Sequence, residues 1–460
     1  MKLRLIIISL FITPLVASAD RPNVLIIMAD DMGYSDIGCY GGEIPTPHID
    51  RLAANGLRFT QFYNTARCSQ TRAALLTGLY QHQAGMGVLA ETPKEAVDPA
   101  TKAPGYAQTL NRNSVTIAEV LKEAGYRTYM GGKWHLGYHA KHKWPNQRGF
   151  DKFYGSISGA TSFFRPSGLR SVSLNNDILP PPKDPEYYTT DAFTDYLIQF
   201  IDEQEDDAPF FGYLSFTAPH WPLHAREEDI QKFVGKYTNG WDALRAERWQ
   251  RMLNLGVVKA EWGLSPRDDG ARSWNKLTEQ QKRELDFRMA VYAAMVHRMD
   301  YNIGKVLAFL EKRNQLDNTL IFFLSDNGGC AEPYEDLGGG KFENINNPSK
   351  AGMAKDNGTS YGTGWANASN TPFRRYKARL HEGGIATPLI IHWPVGMQAE
   401  PGSLTDAPGF VADFMPTILD ATGATYPKTY HGGKKIHPLP SKSLMPVVKT
   451  GAREQPEWMF

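Results

Sequence analysis

Residues 24–29 read VLIIMA, and Asp30-Asp31 follow at once. Six apolar residues without a polar break suit a strand covered on both faces, as in a parallel sheet. Such a strand needs helices above and below it, so helices should alternate with further strands. Thr46-Pro47 offers a cap and a first-turn proline for one helix, and Gly56 ends it. Residues 57–63 read as a second strand. Thr116 caps a helix through Ile117, Val120 and Leu121 that Gly125 closes, and 126–130 then read as a strand. Residues 210–216, Thr319–Ser325 (TLIFFLS) and 385–392 are further apolar strands. Glu279–Lys312 places Leu285, Met289, Tyr292, Met295, Met299, Ile303, Val306 and Leu310 on one stripe, as a core-packing helix does. The expected fold is α/β, with a large, mainly parallel or mixed central sheet and helices on both faces.

Two stretches break the alternation. Residues 330–370 are rich in Gly and Asn and read as a long irregular loop. Residues 226–280 are charged and carry Trp241, Trp249, Trp262 and Trp274, as an insertion on the sheet. Its tryptophans either line a substrate cleft or pack a small subdomain.

The 460 residues carry 50 Lys and Arg against 49 Asp and Glu. That balance argues against a basic nucleic-acid face. With 42% hydrophobic and 22% charged residues the chain has an ordinary globular composition. Cys39, Cys68 and Cys330 are too few and too scattered for a disulfide scaffold or a structural zinc site. At the N-terminus, Lys2 and Arg4 precede an apolar run from Leu5 to Val16, and Ala17-Ser18-Ala19 form a small-x-small site. Residues 1–19 therefore read as a cleavable signal peptide, giving a periplasmic or secreted protein with no stable membrane insertion after cleavage. Pro14 interrupts the run, which is shorter than the ~20 residues a spanning helix needs.

Polar residues collect where the strands end. Asp30 and Asp31 follow the first strand, Lys133 and His135 follow 126–130, His220 follows 210–216, and Asp326 and Asn327 follow Thr319–Ser325. In open α/β sheets the ligand site lies outside the carboxyl ends of the strands. Asp30, Asp31, Asp326 and Asn327 offer only oxygen, which suits calcium or magnesium and favours the looser geometry of calcium; two ordinary turns would use the same residues. In 220–224 (HWPLH), Pro219 and Pro222 forbid the helix that a zinc pair at His220 and His224 would need. His224 reads as a surface or cleft residue. Residues 68–78 read CSQTRAALLTG, so Cys68 starts a short helix closed by Gly78, with Arg72 one turn on. A helix N-terminus favours anions and lowers a thiol pKa, although a single cysteine is more often a buried structural one.

The 68–78 motif resembles the signature of the type I, formylglycine-dependent sulfatases, in their arylsulfatase-like branch of the alkaline phosphatase superfamily. The blocks 23–33 (NVLIIMADDMG), 131–137 (GGKWHLG), 218–222 (APHWP), 325–329 (SDNGG) and 371–388 (TPFRRYKARLHEGGIATP) resemble that family's blocks, in its order. The resemblance implies an alkaline phosphatase-like catalytic domain over 20–450. It also implies that 451–460 begin a C-terminal subdomain that the chain lacks. It implies one calcium ion on Asp30, Asp31, Asp326 and Asn327, and a formylglycine made from Cys68 by a maturation enzyme. Arg72 and Lys133 would steady the hydrate and the sulfate, and His135 would hydrogen-bond the formylglycine hydroxyl. His220 and Lys377 would bind sulfate and assist the leaving oxygen, and Asp326 would be placed to accept the hydrate's proton. One hydrate oxygen would attack sulfur and expel the alcohol, and the second would then release sulfate. Gln70 stands where the maturation motif usually has proline.

The implied reaction is hydrolysis of sulfate monoesters of phenols or sugars. Two alternatives stand beside it. One is a phosphomonoester or phosphodiester hydrolase of the same superfamily, which would usually bind two metals. The other is a non-catalytic binder of sulfated glycans, if Cys68 stays unconverted.

Overall fold

The computed structural model describes residues 21–92, 104–332 and 359–454. The leader expected over 1–19 lies outside the described residues, as do 455–460 of the expected C-terminal subdomain start and most of the 330–370 loop. A ten-stranded sheet organises the chain. Its five central strands, Thr319–Ser325, Asn23–Ala29, Phe210–Ser215, Arg127–Gly132 and Lys152–Ser156, are all parallel. Antiparallel pairing begins outside them. Leu389–His392 runs against Thr319–Ser325 on one side, and Val172–Leu174 runs against Lys152–Ser156 on the other. The sheet is therefore mixed, with a parallel centre.

The apolar run that opened the reading is buried on both faces. Val24, Ile26 and Met28 belong to one core, and Leu25, Ile27 and Ala29 to the other. The long helix, Glu279–Lys312, packs in the second core through Met289, Tyr292, Met295, Met299, Ile303, Val306 and Leu310. The Cys68–Thr77 helix packs in the first through Ala73, Ala74, Leu75 and Leu76. At about 25 cal/mol per Å² of apolar surface, burial of this kind is the main term that holds both layers to the sheet. Among the described residues no helix is long and apolar enough to cross a membrane.

Local signals set several element ends. Thr116 and Glu119 form a reciprocal capping box on Ile117–Glu123. Thr46 precedes Pro47–Ala54 as expected, but its side chain does not cap; it accepts from the Gly38 N–H, and Asp300 receives the His48 and Ile49 N–H groups. Residues 57–63 form two short strands, Leu57–Phe59 and Phe62–Tyr63, and 385–392 split into a helical turn, Glu382–Ile385, and a strand.

The described end of the 330–370 stretch is not irregular. Gly362–Ser369 is a helix, because Trp365 buries its whole side chain edge-on against Trp241 and Trp274. Gly364 permits that approach: a Cβ there would lie 2.5 Å from the Trp241 ring. Trp241 and Trp274 of the insertion thus pack a subdomain core, and Trp262 remains partly exposed.

Candidate active site

Register brings Asp30-Asp31 and Asp326-Asn327 together. Ala29 pairs with Ser325 across adjacent parallel strands, so Asp30-Asp31 and Asp326-Asn327 leave the sheet side by side. The Asp326 N–H donates to the Ala29 carbonyl at 3.1 Å, and the Asp31 N–H donates to Asp326 Oδ1 at 3.2 Å. Asp31 holds φ at 65°, which turns its carboxylate back over the strand ends. On the other flank Gly132 pairs with Ser215, and Lys133 leaves the sheet beside them.

Cys68 begins its helix at the same edge and is buried, as are the nine other predicted site residues: Asp30, Asp31, Arg72, Lys133, His135, His220, Asp326, Asn327 and Lys377. Three basic groups answer three carboxylates. Lys133 Nζ donates to Asp30 Oδ2 at 2.6 Å. Lys377 Nζ donates to Asp31 Oδ2 at 2.9 Å. Arg72 Nε and Nη2 both reach Asp326 Oδ2, at 3.0 and 2.8 Å. His220 Nε2 lies 3.2 Å from Lys377 Nζ and 3.3 Å from Asp31 Oδ2. The Nδ1–H of His220 donates to the Trp221 carbonyl, so Nε2 is the acceptor that faces this cluster.

Burial and charge set the protonation states. Burial lowers the Lys377 pKa, but Asp31 and then Cys68 outweigh it and hold the ammonium well above its ordinary range. Burial works on Lys133 the same way, and Asp30 reverses it. His220 is pushed well below the usual imidazole range by burial and then by Lys377, so it is neutral. Burial raises Asp326, and Arg72 and Lys133 overcome it to hold the carboxyl low; a proton acceptor in that state is a weak base.

The Cys68 thiol departs from expectation. Its helix N-terminus suggests a lowered pKa. Instead burial raises it, and the carboxylates Asp326 and Asp31 offset much of what Lys133 and Lys377 return. As a plain thiol it is a poor nucleophile at neutral pH.

The donor set fits a hard cation. Asp30 Oδ1 and Asn327 Oδ1 are buried and have no hydrogen-bond partner, although such oxygens normally have one. Burial pushes the Asp30 carboxyl well above its ordinary range, against Lys133, and a divalent cation at Oδ1 would favour the ionised form. Three carboxylates against Arg72, Lys133 and Lys377 leave the site near neutral. A divalent ion would make it dipositive, which suits an anionic ester and a deprotonated nucleophile.

Two site residues were not singled out from the sequence, Glu91 and Ser215. Glu91 Oε2 pairs with His135 Nε2 at 2.5 Å, and Glu91 Oε1 accepts the Gly159 N–H at 2.9 Å. Burial raises Glu91, but His135 holds it down at about 2. His135 Nδ1 is left buried without a partner. Ser215, the last residue of its strand, accepts from Arg72 and donates to the Lys133 carbonyl at 2.8 Å. The strand-end position of its hydroxyl is the one sequence clue to Ser215; the Glu91 pairing spans 44 residues and has none. His224 is buried rather than at the surface, and burial pushes it down to about 4; it does not join His220.

A family model described as Sulfatase matches residues 22–424. The chain is 36% identical over 443 residues to an uncharacterized sulfatase of Schizosaccharomyces pombe, covering 91% of this chain and 78% of that protein. It is 34% identical over 444 residues to an arylsulfatase of Klebsiella aerogenes, covering 94% and 93%. The solved structure of Ps i-CgsB in complex with k-i-k-neocarrahexaose superposes with a TM-score of 0.63 at 26% identity, covering 93% of this chain and 76% of that one.

Proposed function

The chain belongs to the sulfatase family and is a sulfuric ester hydrolase, and on that footing we propose that it cleaves sulfate monoesters with a formylglycine made from Cys68 and one calcium ion. The observation that carries this reading is the convergence of Cys68, Lys133, His220 and Lys377 on the paired carboxylates of two neighbouring strands. Asp30, Asp31, Asp326 and Asn327 would hold the ion, which when bound supplies charge neutralisation and lowers the cost of ionising the nucleophile. Formylglycine would supply the attacking hydroxyl that the buried thiol does not.

Lys133 and Lys377, on opposite flanks, neutralise and orient the sulfate. Lys377 holds the proton that the leaving oxygen needs, and neutral His220 is hydrogen-bonded to it. His135, oriented by Glu91, has Nδ1 free to bond the formylglycine hydroxyl. Arg72 is committed to Asp326, Ser215 and the Lys133 carbonyl, so it braces the site more than it binds sulfate. A sugar-bound neighbour and an arylsulfatase relative support sugar and aryl sulfates alike as the substrate class. Export by the N-terminal leader, into a periplasm or medium, belongs to the same reading.

The test begins with mass spectrometry of the peptide around Cys68 from protein made with a maturation enzyme. The expected product is lighter than the thiol peptide by about 18 Da, as thiol-to-aldehyde conversion requires. Only alkylatable thiol in an active preparation would overturn the reading. Gln70 is part-exposed on the first turn of the helix, bonded to Ser69 Oγ at 3.0 Å. Gln70→Pro is expected to raise the converted fraction, since proline is tolerated in a first helical turn.

Asp326→Asn is expected to remove calcium and activity together. It takes one charge from the cation and strands part of Arg72's, a loss of about 3–5 kcal/mol in stability when a buried pair is broken. Metal analysis and a melting curve on the same sample check both. Full activity in converted protein stripped of divalent ions would contradict the metal assignment.

A further inference from the structure

A second donor set, sharing Asp30 and Asp31 with the first, includes Cys68. Its Sγ, a ring nitrogen of His220 and one carboxylate oxygen each of Asp30 and Asp31 lie within 4.8 Å of one another, and all four residues are buried. The ring nitrogen is Nε2, because Nδ1–H is spent on the Trp221 carbonyl. That is the outer hydrogen bond which orients a metal-binding imidazole. Nε2 stands 3.3 Å from Asp31 Oδ2. Two donors on one tetrahedral zinc are separated by roughly 3.4 Å when the bonds are about 2.0–2.2 Å. The Lys377 ammonium already sits against both atoms, at 2.9 and 3.2 Å, so a positive charge is accommodated there. Independently, Asp30 Oδ1 is buried and has no hydrogen-bond partner, with Arg72 Nη2 3.7 Å away.

We propose that the chain whose Cys68 is still a thiol binds one zinc ion through Cys68 Sγ, His220 Nε2 and the carboxylates of Asp30 and Asp31, and that conversion of Cys68 abolishes this site. One sulfur, one nitrogen and two oxygens suit zinc and not calcium. The S–H bond breaks as the S–Zn bond forms, and the proton leaves to solvent. Lys377 yields its place and turns towards Glu332, whose Oε2 is 3.8 Å from Nζ. Conversion replaces sulfur with oxygen, and the same two aspartates are then left to a hard cation with Asp326 and Asn327. The metal a preparation carries thus reports whether its Cys68 has matured, and zinc on the thiolate protects it from reaction. The zinc half concerns the thiol form alone; only its loss on maturation rests on the formylglycine reading.

The full chain is produced without a maturation enzyme in a Cys39→Ser, Cys330→Ser background, and the thiol is verified by mass. Zinc affinity is measured by competition with a chromogenic chelator. One zinc per chain is expected, weakened at least tenfold by Cys68→Ala, Cys68→Ser or His220→Ala, on the scale of losing one ligand contact. His142→Ala, an exposed imidazole outside the donor set, leaves zinc affinity unchanged. Cobalt in place of zinc gives a thiolate-to-metal charge-transfer band that Cys68→Ser lacks. On the background protein alone, zinc slows alkylation of Cys68, a readout that needs no variant at the site to fold. Absence of stoichiometric zinc, or equal affinity in Cys68→Ala, overturns the proposal. Equal zinc affinity in converted chain overturns its second half, whereas failure of conversion itself is seen in the mass of the Cys68 peptide.

Discussion

Cys68→Ala is expected to lower kcat/KM by on the order of 10⁶-fold for nitrophenyl sulfate and for an alkyl sulfate alike, the scale seen when an enzyme loses its nucleophile. The two losses match because the group removed attacks sulfur before the leaving group matters. Folding should survive. Cys68 starts a helix that packs through Ala73, Ala74, Leu75 and Leu76, all of which the substitution leaves in place. Both substrates should be assayed on the variant and on the parent made in the same host, with melting curves for each. Retention of more than a hundredth of parental activity, or a loss on one substrate only, would remove Cys68 from the nucleophile's place.

His220→Ala and Lys377→Ala are expected to separate the two substrates. A positioned proton donor contributes about 10²–10⁴-fold when the departing alcohol is a poor leaving group. Nitrophenolate leaves readily and gains little from it. Both variants should therefore lose far more on the alkyl or sugar sulfate than on the aryl one. The geometry refines which residue holds the proton. Lys377 is kept charged by Asp31, after burial has been overcome, and His220 is kept neutral by burial and by Lys377 itself. Lys377→Ala removes the proton, so its selective loss should be the larger. His220→Ala removes its hydrogen-bond partner at 3.2 Å. Equal losses on both substrates would leave these residues as anion binders only, and full activity would take them out of the site.

Four of the five parallel central strands were legible because each is short, apolar and locally defined; Lys152–Ser156, with Lys, Gly and Ser in five residues, was not. Residues 24–29 had to be covered twice, and alternate side chains do enter different cores. The long helix was legible over Glu279–Lys312 because one stripe of its surface repeats at helical spacing and Thr278 closes a capping box at its start. The short antiparallel strands at the sheet edges and the helix at Gly362–Ser369 were not legible. Trp365 makes that helix by packing on Trp241 and Trp274, more than ninety residues away, and no local pattern carries that information.

The sequence by itself determined which groups stand at the strand ends and what kind of chemistry they offer. Oxygen donors follow two strands, a lysine and an imidazole follow a third, and a cysteine opens a helix; these follow from the order of residues. Only the tertiary structure decided what those groups face. Register set Asp30 and Asp31 beside Asp326 and Asn327, long-range packing brought Glu91 to His135, and burial reversed the expected fall of the Cys68 pKa. The reason is the range of the forces. Periodicity and capping act over a few residues of chain, whereas desolvation and Coulomb interaction depend on every group nearby in space, wherever it lies in sequence.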